Sequence, residues 1–359
     1  MNAPAESAAE DPAYRVEVGD AIADRSRILS LWQLCGFGGS AEQNAARYDW
    51  LYLDNPQGRA RLYLLMAPAS GDLVGAVGVG SRMFYSAVPP RPLASGTLVD
   101  FVVHPGHRSL YPALLLQRFA CEQELAHCEF VYGLPVEKAV PVVARLAGST
   151  RFASRTYVRI IRSASFIRKR VKWLPAWLAT PLAGGIDVLR GTWVRIALAS
   201  SHVVCRHVAG QAPELGEHIR ALAEENQVII GQRSRDVIAW RARPPGRSFE
   251  LVVFEDGRST NALGYAMYAL DQGNLVVIDF VLPREDHEAR GSWLALCRRA
   301  AELGAAVVRV EFAGCDWVGA QLRSAGYVHR GSRPGFVISR PTEETSSRNW
   351  WFTRFDEDV

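Results

Sequence analysis

The chain has 359 residues, of which 48% are hydrophobic and 22% charged, with a net charge of +4. This composition is that of a folded globular protein, and the length exceeds what one hydrophobic core normally serves, so we expect two domains. The sequence has no apolar run of about 18 residues that could span a membrane. It has no Cys-x-x-Cys pair and no histidines at metal-ligand spacing. We therefore predict a cytoplasmic protein without a bound metal.

Residues 1–13 are polar and acidic and lack the apolar centre of a signal peptide, so we predict a short disordered lead. The pattern over residues 14–160 then predicts a strand, helices, a hairpin, a further strand, a long helix, a strand, a short helix and terminal strands. Hairpins beside a strand-helix-strand crossover indicate a mixed α/β sheet with helices on both faces.

The stretch VDFVVHPGHRSLYPALLLQRF, residues 99–119, joins an apolar strand to a long apolar helix through a basic turn. Such a helix start attracts phosphate, because its first amides are unpaired and its dipole is positive there. The glycines that normally let the backbone approach a phosphate are absent, and Pro112 lacks an amide altogether. The pattern fits a functional phosphate-binding loop, a degenerate loop that is retained for its structural role, or only a strand that leads into a helix.

Residues 161–202 form a basic and aromatic connector, for which we predict short helices. Between Arg151 and Lys172 the chain has eight cations and no acid, so the rest of the chain carries a net charge of −4. Two interpretations of residues 151–178 remain open. The aromatic residues pack between the domains while the cations are solvated, or the segment makes weak contact with an anionic membrane surface or an acidic acceptor. No nucleic acid is expected, because no recognition motif accompanies the charge.

A repeat relates the two halves of the chain. RYDWLYLDNPQGR at 47–59 corresponds to RDVIAWRARPPGR at 235–247, and LVDFVV at 98–103 corresponds to VIDFVL at 277–282, which places Asp100 against Asp279. The order of these matches predicts a duplication, with the second copy over residues 203–355. In that copy Glu285, Asp286 and Glu288 precede the long helix and would repel a phosphate, so we interpret it as a degenerate, structural partner.

Each copy resembles the GCN5-related N-acetyltransferase (GNAT) fold. LVDFVVHPGHR resembles the fourth strand of that family, which splays from the fifth strand, and VYGLPVEKAVPVVARLAG resembles the fifth strand and the helix after it. HRSLYPALLLQ occupies the place of the family's pyrophosphate loop. The resemblance implies two tandem α/β folds, with acetyl-CoA or another acyl-CoA as co-substrate. It places the donor in the first copy, at Val102, Val103, Arg108, Ser109, Leu110, Tyr111 and Ala113.

Acyl transfer to an amine requires a base for the amine and a proton for the leaving thiolate. Asp100 lies within an apolar strand, where a carboxylate must either be paired or face a cleft. It is a candidate catalytic residue, or it bonds an arginine or loop amides and fixes the sheet. Glu137 is a second candidate, or a first-turn helix charge. Tyr132 is a candidate acid, or a strand aromatic.

These features predict an acyltransferase that moves an acyl group, most simply acetyl, from acyl-CoA to an amine. The acceptor is expected to be a small molecule, a sugar or glycan, or an amino-acid conjugate. Two other functions are open. In the first, the chain is a non-catalytic tandem module that binds a ligand or partner in the cleft between the copies. In the second, it is similar to aminoacyl-tRNA-dependent transferases, which do not use CoA.

Overall fold

The computed structural model describes residues 14–68, 70–163, 176–208, 216–259, 262–282, 286–340 and 349–357. The predicted disordered lead, connector residues 164–175 and Glu285 lie outside the described residues.

The strands in these ranges are β1 Arg15–Gly19, β2 Arg61–Met66, β3 Leu73–Ala87, β4 Pro90–Val103, β5 Phe130–Gly133, β6 Ser149–Ile160, β7 Val203–Val208, β8 Val228–Gly231, β9 Glu250–Asp256, β10 Ala262–Asp271, β11 Asn274–Val281, β12 Val307–Ala313, β13 Val328–Ser339 and β14 Asn349–Thr353. The α-helices are α1 Arg25–Leu34, α2 Ala41–Tyr48, α3 Leu110–Glu124, α4 Val140–Val143, α5 Ala176–Ser201, α6 Gly216–Asn226, α7 Arg235–Arg241, α8 Asp286–Glu302 and α9 Asp316–Ser324.

The strands join in one mixed sheet, in the order β1-β2-β3-β4-β5-β13-β6-β12-β11-β10-β9-β7, with β8 and β14 off this path. In the first half, β4 is antiparallel to β3 and parallel to β5. In the second half, β11 is antiparallel to β10 and parallel to β12. Asp100 on β4 and Asp279 on β11 therefore lie on topologically corresponding strands, as the repeat predicts.

The two copies exchange strands at the centre of the sheet. β6 belongs to the first half of the chain, yet it pairs on both sides with strands of the second half, β12 and β13. Conversely, β13 comes from the end of the second half and pairs with β5, so that Val337 lies opposite Tyr132. In each copy, the strand that follows the long helix pairs with a strand of the other copy: β5 pairs with β13, and β12 pairs with β6.

Helices cover both faces of the first copy because β2 alternates its apolar side chains between two sides. Leu62 and Leu64 pack with Trp32 of α1. Leu65 points to the other face and packs with Leu116 of α3. The candidate site thus has α1 and α2 on one side of the sheet and α3 on the other.

The connector differs from the prediction of short helices, since α5 is one helix of 26 residues with Pro181 inside it. Val194 and Leu198 are four residues apart and are both buried in the core of the second copy, so packing of one face stabilises the long helix. Helix α5 contacts α8. None of the helices in the described ranges combines the length and the apolar character that crossing a bilayer requires.

One of the two interpretations of residues 151–178 expects their cations to be solvated, and Arg155 and Arg159 of β6 test it. Arg155 fits this, with its Nη1 2.5 Å from the Asp316 carboxylate and both side chains substantially exposed. For Arg159 the expectation is wrong, because only 9% of this residue is exposed. Trp193 of α5 lies over its guanidinium, with 5.7 Å between Cζ and the ring centroid.

Candidate active site

Strands β4 and β5 separate part-way along their length. Their parallel pairing joins residues 95–97 to residues 130–132, after which β4 continues to Val103 while β5 ends at Gly133. A bulge lies at the separation, because Ala76 of β3 faces Val102 whereas Gly78 faces Val99. Asp100 sits in this bulge with a φ of 50°, which is unusual for a residue other than glycine. Bulges bend a strand and increase its twist, which accounts for the gap beside β5.

A cavity of about 360 Å³ occupies this gap. Phe37 and Arg47 line it from the side of α1 and α2, and Gln117 and Val143 line it from the side of α3 and α4. Because these helices lie on opposite faces of the sheet, the cavity passes between the two strands. The rest of its wall is mainly apolar and includes Leu98, Val99, Phe101, Leu134 and Val136.

Asp100 is tied to α2 at the wall of this cavity. The Nε and Nη2 atoms of Arg47 donate to its Oδ1 at 3.1 and 2.7 Å. The Asp100 side chain is buried, and Arg47 lies 6.0 Å from the ring centroid of Phe37. Arg47 balances the buried negative charge, which is the paired arrangement that a carboxylate in an apolar strand requires.

Gln117 is a polar residue of the cavity that sequence reasoning missed. Only 2% of it is exposed, and its Oε1 has no hydrogen-bond partner within the described residues. A buried acceptor left unpaired costs about 1–3 kcal/mol, so a ligand N–H that reached Oε1 would be stabilised. The signal was present, since Gln117 is four residues from both Ala113 and Cys121 and therefore lies on the buried face of α3.

The corresponding gap of the second copy is filled by the chain itself. Strands β11 and β12 pair only between residues 275–277 and 308–310, and β14 then pairs with β12 at Phe312 and Ala313. Asp279 receives hydrogen bonds from Arg233 Nε at 3.1 Å and Nη2 at 3.2 Å, and from the Thr353 hydroxyl at 2.7 Å. This interior network occupies the place that is a cavity in the first copy.

A GCN5-related N-acetyltransferase from Anabaena variabilis matches 90% of this chain and 72% of its own, with a TM-score of 0.61 and 10% sequence identity. One from Kribbella flavida matches 90% of this chain and 71% of its own, with a TM-score of 0.57 and 13% identity. The chain has the GNAT fold, in two tandem copies. Saccharomyces cerevisiae N-myristoyltransferase, solved with bound myristoyl-CoA, matches 95% of this chain and 88% of its own at a TM-score of 0.51 and 9% identity. No protein-family model and no curated protein sequence matches the chain.

The loop in the place of the GNAT pyrophosphate loop begins α3 at Leu110. The Nε and Nη2 atoms of Arg108 donate to the backbone carbonyls of Val103 and Cys35, at 2.9 and 3.1 Å. These bonds fasten the loop to β4 and to the end of α1. Leu110 and Tyr111 are exposed, and their amides, in the first turn of the helix, have no intrahelical acceptor. Ser109 donates its own amide to the carbonyl of His107 at 2.9 Å.

The other predicted donor-site residues form the base of this loop. Val103 and Ala113 are buried and pack together with Val142 of α4. Val102 is buried on the opposite face, in the core beneath α1 and α2. The three side chains hold the end of β4 against α3 and α4, and any donor contact at Val102 and Val103 would be made by their backbone.

Tyr132 points into the seam between the two GNAT copies. Its hydroxyl donates to the backbone carbonyl of Asp356 at 2.8 Å, and burial raises its pKa to about 12. The ring lies 5.5 Å from that of Phe84 and 5.1 Å from that of Phe352, measured between centroids. These contacts are those of a strand aromatic, the alternative that the sequence left open.

Glu137 is exposed in a 3₁₀ turn after β5. It lines a second cavity, of about 720 Å³, together with Arg151 and Arg333. Residues 134–136 line both this cavity and the one between β4 and β5. The structure thus places Asp100 and Glu137 on two adjacent cavities that share one wall. Among the described residues, no group of three or more His, Cys, Asp or Glu side chains is arranged to hold a metal ion.

Proposed function

We propose that this chain is an N-acyltransferase whose donor site is the cavity between β4 and β5 of the first copy. The observation that supports this is the passage of the cavity through the sheet, with Arg47 at one side and Gln117 at the other. A donor entering beside α3 and an amine entering beside α1 and α2 would meet in the gap. The amine nitrogen attacks the thioester carbonyl, the C–S bond breaks, the thiolate leaves, and a base takes the proton of the amine.

Acyl-CoA is the donor that best suits this cavity. Its pantetheine arm is narrow, largely apolar and carries amide N–H groups, which complement the apolar wall and the unpaired Oε1 of Gln117. Its pyrophosphate would lie at the free amides of Leu110 and Tyr111. Pro112 supplies no amide, so we infer that the arm contributes more of the binding free energy than the pyrophosphate does.

Glu137 is the stronger candidate for the base. The Oδ1 of Asp100 already accepts two hydrogen bonds from Arg47, which suits a residue that shapes the cavity wall. Glu137 is exposed beside the shared wall at 134–136 and is available to an incoming amine. An acceptor with an ammonium group would be attracted to Glu137, which agrees with an amine of a small molecule, a glycan or an amino-acid conjugate.

The test is the affinity for acetyl-CoA, measured by calorimetry on the full chain. Gln117→Leu keeps the size of the side chain and removes the acceptor, so affinity should fall about fivefold to tenfold. Gln123→Leu is the matched control, because Gln123 is exposed on the same helix, and its affinity should equal that of the wild type. Ala139→Trp, which fills the cavity, should abolish binding. Unchanged affinity in both Gln117→Leu and Ala139→Trp would place the donor elsewhere.

The loop geometry also favours a second candidate function. Arg108 is engaged by two carbonyls, and Tyr111 stands where a glycine would let a pyrophosphate approach. Both features suit a donor without a pyrophosphate, as in aminoacyl-tRNA-dependent transfer, or a module that binds its ligand without catalysis. Absence of acetyl-CoA binding to the wild type, together with binding of an aminoacyl donor that Ala139→Trp abolishes, would favour this candidate.

A further inference from the structure

A third cavity, of about 380 Å³, lies between α5, α8 and β6. These elements do not line the cavity between β4 and β5. Four arginines face the third cavity: Arg159, Arg190, Arg195 and Arg298. The rest of its wall is largely apolar, with Ile161 and Val194 among the contributors. The combination of cations with an apolar wall is that of a ligand site rather than of a packing defect.

Arg159 is buried to more than nine-tenths, and its Nη1 has no hydrogen-bond partner within the described residues. Its guanidinium lies over the ring of Trp193, and so does that of Arg290, at 5.5 Å from the centroid. The Nε of Arg290 is also buried without a partner among the described residues. A cation–π contact does not satisfy the N–H groups of a guanidinium, so one buried donor on each of these two arginines lacks an acceptor among the described residues.

The acids that line this cavity are already engaged. Asp187 accepts two hydrogen bonds from the amide of Ser163, at 2.9 and 3.0 Å. Glu302 lies 3.6 Å from Arg298 and 3.7 Å from Arg299. With four arginines and two acids, the lining carries a net charge of +2. Neither acid supplies the acceptor that Arg159 lacks.

We propose that this cavity binds a phosphate monoester with an apolar substituent. The planar guanidinium of Arg159 presents paired donors that match phosphate oxygens, and Arg190 and Arg195 add positive charge at the rim. The substituent lies along Ile161, Val194 and Ala301. The same chemistry occurs in soluble phosphate esters and in lipid headgroups. The membrane contact predicted for residues 151–178 would be one form of it, since Arg159 lies in that segment.

Hexyl phosphate is the probe, and its dissociation constant is measured by calorimetry with the full chain. It should bind more tightly than inorganic phosphate, since each buried methylene adds about fourfold to affinity. Arg159→Met and Arg190→Gln should each weaken binding, the former by about tenfold or more. Arg155→Met is the matched control on the same strand and should bind as the wild type does. Sedimentation with phosphatidate vesicles then separates the sources: co-sedimentation that Arg159→Met abolishes indicates a lipid, and its absence indicates a soluble ester.

Thermal unfolding of the ligand-free protein separates a ligand role from a structural one. A buried N–H group without a hydrogen bond, such as Nη1 of Arg159, destabilises the free protein, so Arg159→Met should raise the midpoint temperature while it removes the upward shift that hexyl phosphate causes. Three results would overturn the proposal: no binding of hexyl phosphate to the wild type, equal affinity in wild type and Arg159→Met, or equal affinity for hexyl phosphate and inorganic phosphate.

Discussion

Asp100 and Asp279 lie on corresponding strands and are both buried, yet their surroundings differ. Asp279 accepts hydrogen bonds from Arg233, Thr353 and Tyr265 in a closed interior network. Asp100 accepts two hydrogen bonds from Arg47 and faces a cavity. The same residue type in the same strand therefore serves stability in one copy and lines the candidate active site in the other.

We expect Asp279→Asn to lower the free energy of unfolding by about 3–5 kcal/mol, because it leaves the guanidinium of Arg233 short of one buried counter-charge. Asp100→Asn should cost less, since the side chain of Arg47 is 21% exposed and water can solvate it. Urea unfolding of both variants measures the difference. A larger loss in Asp100→Asn would contradict this assignment of roles.

Tyr132→Phe separates a packing role from an acid role. The raised pKa, about 12 against about 10 in the unfolded chain, means that the folded state holds this proton more tightly. Its stabilising contribution is complete below pH 10 and is lost as the pH rises towards 12. The variant should lose about 1 kcal/mol at neutral pH and fall less steeply than the wild type between pH 10 and 12.

Denaturant unfolding at several pH values measures both the loss in unfolding free energy of Tyr132→Phe and its dependence on pH. With an acyl acceptor in hand, kcat of Tyr132→Phe should stay within about twofold of the wild type, because the hydroxyl bonds the Asp356 carbonyl. A fall of a hundredfold or more would assign Tyr132 to catalysis instead.

Arg108 tests the pyrophosphate loop. Arg108→Ala should weaken acetyl-CoA binding by about 1.5–3 kcal/mol, through loss of charge and through release of the loop from Val103 and Cys35. Arg108→Lys keeps the charge and loses the paired carbonyl contacts, so its affinity separates the two contributions. Equal affinity in the wild type and Arg108→Glu would exclude this loop from donor binding.

At the scale of elements, β14 and the 3₁₀ turn Arg354–Asp356 hold the second copy closed. Phe352 stacks on Phe152 with 4.8 Å between centroids, and Arg241 Nε donates to the carbonyl of Phe355 at 2.8 Å. The segment fills the gap beside β11 and also reaches Tyr132 of the first copy. One short stretch of chain thus stabilises both halves.

Truncation after Arg340 should therefore abolish a cooperative thermal transition, because it opens the network around Asp279 and exposes the aromatic seam. Truncation after Glu357 is the control and should leave the midpoint temperature unchanged. Phe352→Ala, a milder change at a residue that is 1% exposed, should cost about 3–5 kcal/mol. A cooperative transition at the wild-type temperature in the Arg340 truncation would refute this role for β14.

The sequence predicted the elements that depend on local pattern. The apolar run at 98–103, the turn at Pro105 and the helix after Ser109 are all found, because strand, turn and helix signals there agree. The exchange of β6 and β13 could not be read, since alternating apolar residues fit any neighbouring strand equally well. The sequence also did not predict that β14 fills the gap beside β11 in the second copy. This contact joins Asp279 and Thr353, which are more than 70 positions apart in the chain.

At the scale of the whole molecule, the two copies also meet at a near-symmetric pair of tryptophans. Trp50 and Trp240 stack with 4.6 Å between centroids, and each indole N–H donates to the other's backbone carbonyl, at 3.2 and 3.0 Å. Together with the exchanged strands, this tryptophan pair makes the copies structurally interdependent. The domain boundaries at residues 160 and 203 remain a prediction about the sequence repeat.

We expect the protein to unfold in a single transition, with a calorimetric enthalpy equal to the van't Hoff enthalpy. Neither half should fold alone, whether residues 14–202 or residues 203–359. In the first half β5 would lack its partner β13, and in the second half β12 would lack its partner β6. Differential scanning calorimetry and expression of the separate halves measure this. Two resolved transitions, or a folded isolated half, would contradict the interdependence.

The exchanged strands also set an order of events during synthesis. When the ribosome has made the first copy, one edge of β5 is still bare, since its partner β13 ends only at Ser339. A bare strand edge is a template for pairing with another chain, so the nascent protein carries this hazard until β13 of the second copy has been translated. The cavity between β4 and β5 lies along the opposite edge of β5, so its β5 wall becomes fixed only when β13 has been made and has paired.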